Sequence, residues 1–420
     1  MEDRSPIVLR EQQQLNEQGR AYIASLNLDF SSSEVGSIPP FLGLSADGWS
    51  SYYVGAVWLK KDSRPLVVLP KIDNIDFLGI FSEALADNVL PSYFQKAYSI
   101  KLDTPFIEDK ALNAVLTPLM VAHFLSVMRL LLASGLKRSY IIREENLKSK
   151  VRGHILPLRN LQKNILRGHA EKALCRFQEY SFDYPENRLL KRGLLAAESL
   201  LLGLRVPNNS LLQLVRKCLL AFTGISSDIT PQAVKSIRRD KLHGEYPEAI
   251  SLAKRILART DFAISESSST PHRVPEFAID MSRIFEFHVL GVLRRHFLGH
   301  RILFQEYAGI MGRADYIVPS AQLIVDAKYK TYYTQKSSDI LRADIRELSG
   351  YSRSQRIRNI LKVEDNSEIP CLIIYPNGKY SGEEYSLSEQ PILSQAAPMP
   401  GVHSFYTLGI PIPLMTYLKV

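Results

Sequence analysis

Cysteine is scarce. Cys175, Cys218 and Cys371 are the only three in 420 residues, scattered and odd in number. That argues against a disulfide framework and against a zinc cluster, and for a reducing compartment. A Gly-x-x-x-x-Gly-Lys-Ser/Thr loop is missing as well. "YPNGKYS" contains Gly-Lys but neither the preceding glycine nor the Ser/Thr position. A function that consumes nucleotide energy would draw it from another chain, so no nucleotide site is expected in this one. The stretch "MEDRSPIVLREQQQLNEQGRAY" lacks the apolar core of a signal peptide. The longest apolar region, "ALNAVLTPLMVAHFLSVMRLLLASGL", is interrupted by Pro118, His123 and Arg129, so it reads as buried helices and not as a membrane span. The expectation is a cytoplasmic protein with no membrane partner. Internal repeats and long low-complexity tracts are lacking too.

What is present is an excess of basic charge. Fifty-two Lys and Arg stand against 43 Asp and Glu, a net charge of +9. Such a balance favours polyanionic partners through counterion release, although a plain basic soluble protein has the same composition. The length predicts two or three domains. In "SYYVGAVWLKKDSRPLVVLPKI" the pattern predicts two strands joined by a polar turn, the second stopped by Pro70. From about Ala111 to Arg259 the periodicity is helical. "NRLLKRGLLAAESLLLGL" predicts one such helix, opened by Asp183 or Pro185 and ending near Gly203. Arg143 to Arg176 carries nine Lys/Arg against three Asp/Glu, read as a solvated helix face before a nucleic-acid track. "VKSIRRDKLHG" is a second, equally ambiguous basic cluster. "SESSSTPHRVPEF" reads as a linker. After it come a helix over Met281–Phe297, strands at "RILFQE", "ADYIV" and "LIVDAKYK", a basic helix "DIRELSGYSRSQRIRNIL", a buried strand "CLIIYP", and a proline-rich tail from Gln390 over the surface. The expected fold is an α+β / α/β multidomain protein: a β-rich domain over 1–110, a helical middle over 111–270 and an α/β domain over 271–420.

Chemistry concentrates in "GRADYIVPSAQLIVDAKYK". Side chains alternate along a strand, so Asp326 and Lys328 share a face. If Val318 pairs with Leu323, Asp315 falls opposite Asp326, whereas a three-residue loop would shift the register and separate them. Two adjacent carboxylates call for a divalent cation, and Mg²⁺ suits them, with Mn²⁺ as a substitute. Such a cation activates water and stabilises charge on a phosphodiester oxygen, and Lys328 would orient the water or neutralise that charge. Asp/Glu-x-Lys alone is a weak pattern, better read as an ion pair. "IEDKAL" matches it too through Glu108 and Lys110, as a charged helix start. The second acid across a hairpin is what moves the reading toward chemistry. Glu286, among bulky apolar residues in "RIFEFHV", is a candidate accessory acid, balanced against a partly exposed helix glutamate. Glu306 is a weaker candidate of the same kind.

These residues resemble the PD-(D/E)xK nuclease superfamily and, more narrowly, McrC, the nuclease subunit of McrBC-type modification-dependent (5-methylcytosine-specific) restriction systems. The resemblance runs through "DMSRIFEFHV", "RADYIV", "LIVDAKYK" and "DIRELSGYSR", the last matching a helix that usually reads Asp-x-x-Gln-x-x-x-Tyr. It continues outside that region in "YYVGAVWL…LVVLPKI", "VRGHILPLRNLQKNILRG" and "FQEYSFDYPENRLLK". It implies a carboxyl-terminal restriction-endonuclease-like domain, Asp315 and Asp326 as metal ligands, Lys328 as catalytic lysine and Glu286 as an accessory acid. Ala314 stands where the family usually has proline, and Glu347 where it usually has glutamine, which leaves the role of Glu347 open. The resemblance further implies a separate McrB-like AAA+ GTPase partner contacted by the amino-terminal domain, with double-stranded, methylcytosine-containing DNA as substrate. The expected function is therefore a Mg²⁺-dependent endonuclease subunit. The alternatives are a non-cleaving activator or DNA clamp of an AAA+ motor, and a motor-independent PD-(D/E)xK nuclease of repair or transposition.

Overall fold

The structure, a computed structural model, describes residues 5–30, 39–60, 63–77, 79–80, 91–101, 105, 107–108, 110–203, 210–237, 244–265, 273–330, 338–364, 366–381 and 386–414. Two compact units emerge, one of residues 1–122 with 270–420 and one of residues 123–269.

The amino-terminal segment contributes β1 (Ile7–Arg10), helix α1 (Glu17–Ser25), β2 (Tyr53–Trp58), β3 (Pro65–Leu69), β4 (Tyr98–Lys101) and the short β5 (Ile107–Glu108). As expected, β2 and β3 form an antiparallel pair, Gly55 to Val68 and Trp58 to Pro65, and β3 ends one residue before Pro70. Their near-continuous apolar runs are buried. Gly55 has φ 154°, and a Cβ there would lie 2.0 Å from the Phe277 carbonyl oxygen, so only glycine lets the neighbouring strand approach. Helix α2 (Lys110–Ser134) carries the chain into the second unit. Its stretch Leu116–Ser134 is apolar and long enough to cross a membrane, but 72% of it is buried within the protein. One helix stands where the sequence predicted several.

The second unit departs from the all-helical expectation. A three-stranded sheet, β6 (Ser139–Lys148), β7 (His154–Ile155) and β8 (Lys172–Ser181), occupies the basic run. β6 and β8 pair antiparallel from Ser139↔Ser181 to Lys148↔Lys172. The charges that suggested a helix face pair on this sheet instead: Glu144 holds Arg176 at 2.6 Å and also Arg159, while Glu179 holds Arg143 at 2.6 Å. Cross-strand ion pairs and the buried Leu147, Cys175 and Phe177 suit a half-buried ribbon. Helical periodicity resumes in α3 (Pro185–Gly203), bounded where the sequence indicated, α4 (Ser210–Leu220) and α5 (Tyr246–Ser265). Of the second basic cluster, residues 238–243 lie outside the described residues.

Past residue 270 the chain returns to the first unit. Residues 266–272 of the expected linker lie outside the described residues. The rest of that linker is structured, as β9 (Arg273–Val274) and the start of the fully buried β10 (Glu276–Asp280). β10 sits between β2 and β4, giving a sheet of order β1-β3-β2-β10-β4. The amino-terminal sheet is thus completed by a strand from beyond residue 270. Asp280 then caps α6 (Met281–His296), accepting from the Ser282 and Arg283 amides. Ile284, Phe285, Val289, Val292 and Leu293, spaced to share an apolar face of α6, are buried.

A second sheet follows, of order β11-β12-β13-β14-β16-β15: β11 (Leu303–Tyr307), β12 (Arg313–Val318), β13 (Leu323–Ala327), β14 (Cys371–Ser381), β15 (Ala397–Pro398) and β16 (Phe405–Pro413). The tail expected on the surface supplies β16, parallel to β14 with Ile410 fully buried, because its apolar alternation outweighs its prolines. The expected single basic helix is two, α7 (Ser338–Ser352) and α8 (Gln355–Leu361). Buried Arg358 donates to the Ser352 carbonyl, a backbone group freed by the break, and to the Ser367 carbonyl beyond α8. Ile317, Ile324, Cys371 and Ile373 pack against Leu348, Tyr351, Ile357 and Leu361 of α7 and α8. Phe304 and Tyr316 face α6 through Phe287 and the Glu286 carbonyl. Each such buried aliphatic or aromatic side chain contributes about 1.5–3 kcal/mol.

Candidate active site

The β12–β13 hairpin has the register that brings two acids together. Val318 pairs with Leu323, Ile317 with Ile324 and Tyr316 with Val325. The turn uses four residues, with Gln322 in the left-handed conformation at φ 48°. One step further, Asp315 stands across from Asp326. Both share the parity of Ile317 and Ile324, so they lie on the sheet face covered by α7. Asp315 Oδ2 accepts from the Ala327 amide at 3.0 Å. Asp326 is only 2% exposed. Lys328 extends the ladder through its amide to the Ile374 carbonyl, 2.9 Å. Its ammonium lies 2.9 Å from Asp326 Oδ2 and 2.8 Å from Glu347 Oε2. The contact with Asp326 is one of charge; Oδ2 gains no hydrogen bond of good geometry from it.

Helix α7 presents three residues of the family-like helix on one side. Asp344 holds the Lys330 ammonium at 2.8 Å, Glu347 holds Lys328, and the Tyr351 hydroxyl donates to Glu347 Oε1 at 2.9 Å. Glu286, from α6, joins from the other side through Gln305, whose amide donates to Glu286 Oε2 at 3.0 Å and to Asp315 Oδ1 at 2.8 Å. Asp315, Asp326, Lys328, Glu286 and Glu347 are therefore one cluster. Glu306 stands apart from it, its carboxylate paired with Arg356 at 3.0 Å. Glu108 ends β5 and Lys110 begins α2, a placement at a helix start.

Burial and mutual repulsion set the electrostatics. Desolvation, then the charge of Glu286, pushes Asp315 up to about 7. Desolvation, then Asp315, holds Asp326 well above the ordinary carboxylate range. Desolvation also takes Glu286 to about 7. Burial opposes the charged form of Lys328, but Asp326 and Glu347 outweigh it and hold the ammonium above the usual lysine range. Burial likewise opposes Glu347, and its bonds to Lys328 and Tyr351 prevail, keeping it low. Among the described residues Lys328 is the one cation in contact with this group of four acids, Arg283 and Lys330 acting on Glu286 and Glu347 from further off, and the surplus of carboxylates is one that a divalent cation would correct. Among the described residues no three acidic, histidine or cysteine side chains form a closed metal cage. Mg²⁺ needs none, since it binds through one or two carboxylates and keeps its waters. Desolvated paired oxygens, one without a hydrogen bond, fit such an ion.

Gln305, Asp344 and Tyr351 were not singled out from sequence as site residues. The spacing Asp344, Glu347, Tyr351 places all three on one helix face. Gln305 had no signal: a glutamine in a strand announces no special backbone.

A family model for McrBC 5-methylcytosine restriction system components matches residues 50–361. Among solved structures the chain is similar to a half-complex from the tetradecameric assembly of Thermococcus gammatolerans McrB AAA+ hexamers with bound McrC. There the identity is 18%, 99% of this chain and 95% of that chain are covered, and the TM-score is 0.38. It is also similar to a chain of the cryo-EM structure of the Thermococcus gammatolerans McrBC complex, at 16% identity, 71% and 89% coverage and a TM-score of 0.31. No curated protein matches.

Proposed function

Since the chain belongs to the McrBC family of 5-methylcytosine restriction system components, we propose that it is the DNA-cutting subunit of such a system, a Mg²⁺-dependent endonuclease with a restriction-endonuclease-like carboxyl-terminal region. The observation that carries this reading is Asp315 facing Asp326 beside Lys328, two desolvated acids kept next to each other where apolar residues would pack at less cost.

In this reading Asp315 and Asp326 hold the metal. When bound, it would lower the pKa of a water and stabilise charge on the phosphodiester. Lys328 stays an ammonium at every working pH. It therefore acts as a donor, neutralising charge that develops on a phosphate oxygen or orienting the attacking water. Glu347 and Tyr351 fix that ammonium. The glutamate in the usual glutamine position thus has the role of a lysine anchor. Glu286, held near neutrality in its proton affinity, is placed as an accessory acid. The basic surplus suits a polyanionic substrate.

Membership of this family supports a partner of the McrB-like class, a separate AAA+ GTPase acting with this chain on methylcytosine-containing DNA. The test is plasmid cleavage with Mg²⁺, methylated against unmethylated, with and without the partner and GTP. Cutting that requires partner, GTP, methylation and an intact Asp326 supports the proposal. Cutting by the lone chain, indifferent to GTP and methylation, keeps the nuclease and removes it from a restriction complex. No cutting, with the partner's GTPase still stimulated, replaces the nuclease by an activator.

A further inference from the structure

One strand residue beside the acids has a backbone that its sequence gives no reason to expect. Gln305 lies in β11 with φ 54°, the left-handed region that glutamine seldom adopts. The ladder shows what this does. Leu303↔Ile317 and Phe304↔Tyr316 on one side, and Glu306↔Ala314 and Tyr307↔Arg313 on the other, keep a single register. No residue is inserted, so this is not a bulge that shifts the strand. Only Gln305, opposite Asp315, leaves the pairing. Its carbonyl is taken by the Arg313 guanidinium at 3.0 Å. Its side-chain amide donates to Asp315 Oδ1 and Glu286 Oε2 at 2.8 and 3.0 Å.

A regular strand conformation at this position would remove the strain, and the protein retains it. Strained backbone persists where the surroundings over-determine it, and such places concentrate at functional sites. The geometry points to Gln305 as the positioning residue that assembles the acidic site, its left-handed backbone directing one amide between Asp315 and Glu286 and so recruiting the α6 glutamate toward the hairpin acids. Two carboxylates that each accept from a single nitrogen would otherwise repel and turn apart. Held together, they are pre-organised for a cation, and pre-organisation lowers the ordering needed at binding. Arg313 completes the device by occupying the displaced carbonyl.

The inference rests on the reading of Asp315 and Asp326 as metal ligands, so its test includes a control for that reading. Gln305→Gly keeps a residue at ease at positive φ while deleting the amide. The readouts are the melting temperature of the purified full chain without metal, its rise with Mg²⁺ concentration, and the Mg²⁺ dependence of cleavage in the partner complex. Gln305→Gly should melt at or above the wild-type temperature without metal, yet need about 10–100-fold more Mg²⁺ for the same rise and for half-maximal cleavage, the usual effect of losing an outer-shell partner. A merely structural Gln305 would lower the metal-free melting point on substitution and leave the Mg²⁺ midpoints alone, and that result overturns the proposal. Tighter Mg²⁺ binding in Gln305→Gly overturns it as well. Gln305→Asn, which also tolerates this backbone but falls one methylene short, serves if the glycine variant does not fold and should show the same displacement of midpoints. Asp326→Asn run in parallel separates the two failures. A Mg²⁺ response absent from wild type, or unchanged in Asp326→Asn, removes the metal-site reading and this inference with it. A response lost in Asp326→Asn but unmoved in the Gln305 variants removes only the inference.

Discussion

Two carboxylates of the same unit are almost wholly withdrawn from solvent, Glu11 at 1% and Asp326 at 2% exposure. Burial raises the pKa of both. Each has a lysine acting on it, but Asp326 also faces a second carboxylate. Glu11 Oε1 accepts from the Tyr329 hydroxyl at 2.7 Å and the Lys71 amide at 3.0 Å, and the Lys71 ammonium lies 3.6 Å over the Tyr329 ring. After desolvation, the next influence on Glu11 is that cation; on Asp326 it is another acid, Asp315. Glu11 takes both donors on Oε1 and leaves Oε2 without a hydrogen bond, as Asp326 leaves Oδ2, so the second carboxylate is what distinguishes the two sites. A carboxylate set against a second one destabilises the fold and marks a place prepared for something else. Only their partners are neighbours in sequence, for Tyr329, which donates to Glu11, directly follows Lys328.

The sharpest way to break this contrast is to delete each acid. With the metal-binding role proposed for it, Asp326→Asn should lower cleavage at least about a hundredfold and leave the metal-free melting temperature at or above wild type. A lower melting temperature with cleavage intact would reverse the assignment. Glu11→Ala should do the opposite, losing about 1–3 kcal/mol of stability in denaturant unfolding because buried donors are left unpaired, with cleavage per folded molecule kept within a few-fold.

The pH dependence follows from the same difference. Asp315 and Glu286 have folded-state values near 7, above those of the unfolded chain. Between about pH 4 and 7 the native state therefore binds more protons, and its stability falls as pH rises. That contribution is fully present below pH 4 and lost as pH passes 7. Melting of the metal-free chain across this window should show it, and the slope should shrink in Asp315→Asn; an unchanged slope would mean other groups set it. The smallest effect expected is Tyr329→Phe, which keeps the ring under Lys71 and loses one hydrogen bond, about 1 kcal/mol by chemical unfolding. A loss several times larger would make the hydroxyl the keystone of the Glu11 cluster.

Local chemistry was legible where spacing alone decides it. Alternation put Asp326 and Lys328 on one face, and pairing Val318 with Leu323 brought Asp315 opposite. The apolar stripe of α6 and the bounds of α3 were readable for the same reason. Non-local pairing was not. The ribbon of β6 and β8 hides its apolar side in Leu147, Cys175 and Phe177 while its charges mimic a helix face. The place of β10 between β2 and β4 depends on strands some 180 to 220 residues earlier. β16 was masked by prolines that its neighbours tolerate. Gln305 was illegible for a deeper reason: its residue type disfavours the left-handed backbone, which is recognised only from its contacts with the acids and Arg313.

The central claim is that Asp315 and Asp326 are kept together for a divalent cation. The most direct measurement is Mn²⁺ binding to the purified chain at neutral pH, followed by electron paramagnetic resonance, in wild type and in the Asp315→Asn, Asp326→Asn double variant. Saturable binding to wild type, displaced by Mg²⁺ and lost in a double variant that melts normally, is what the account predicts. Equal uptake by the two proteins, or none by either, would contradict it.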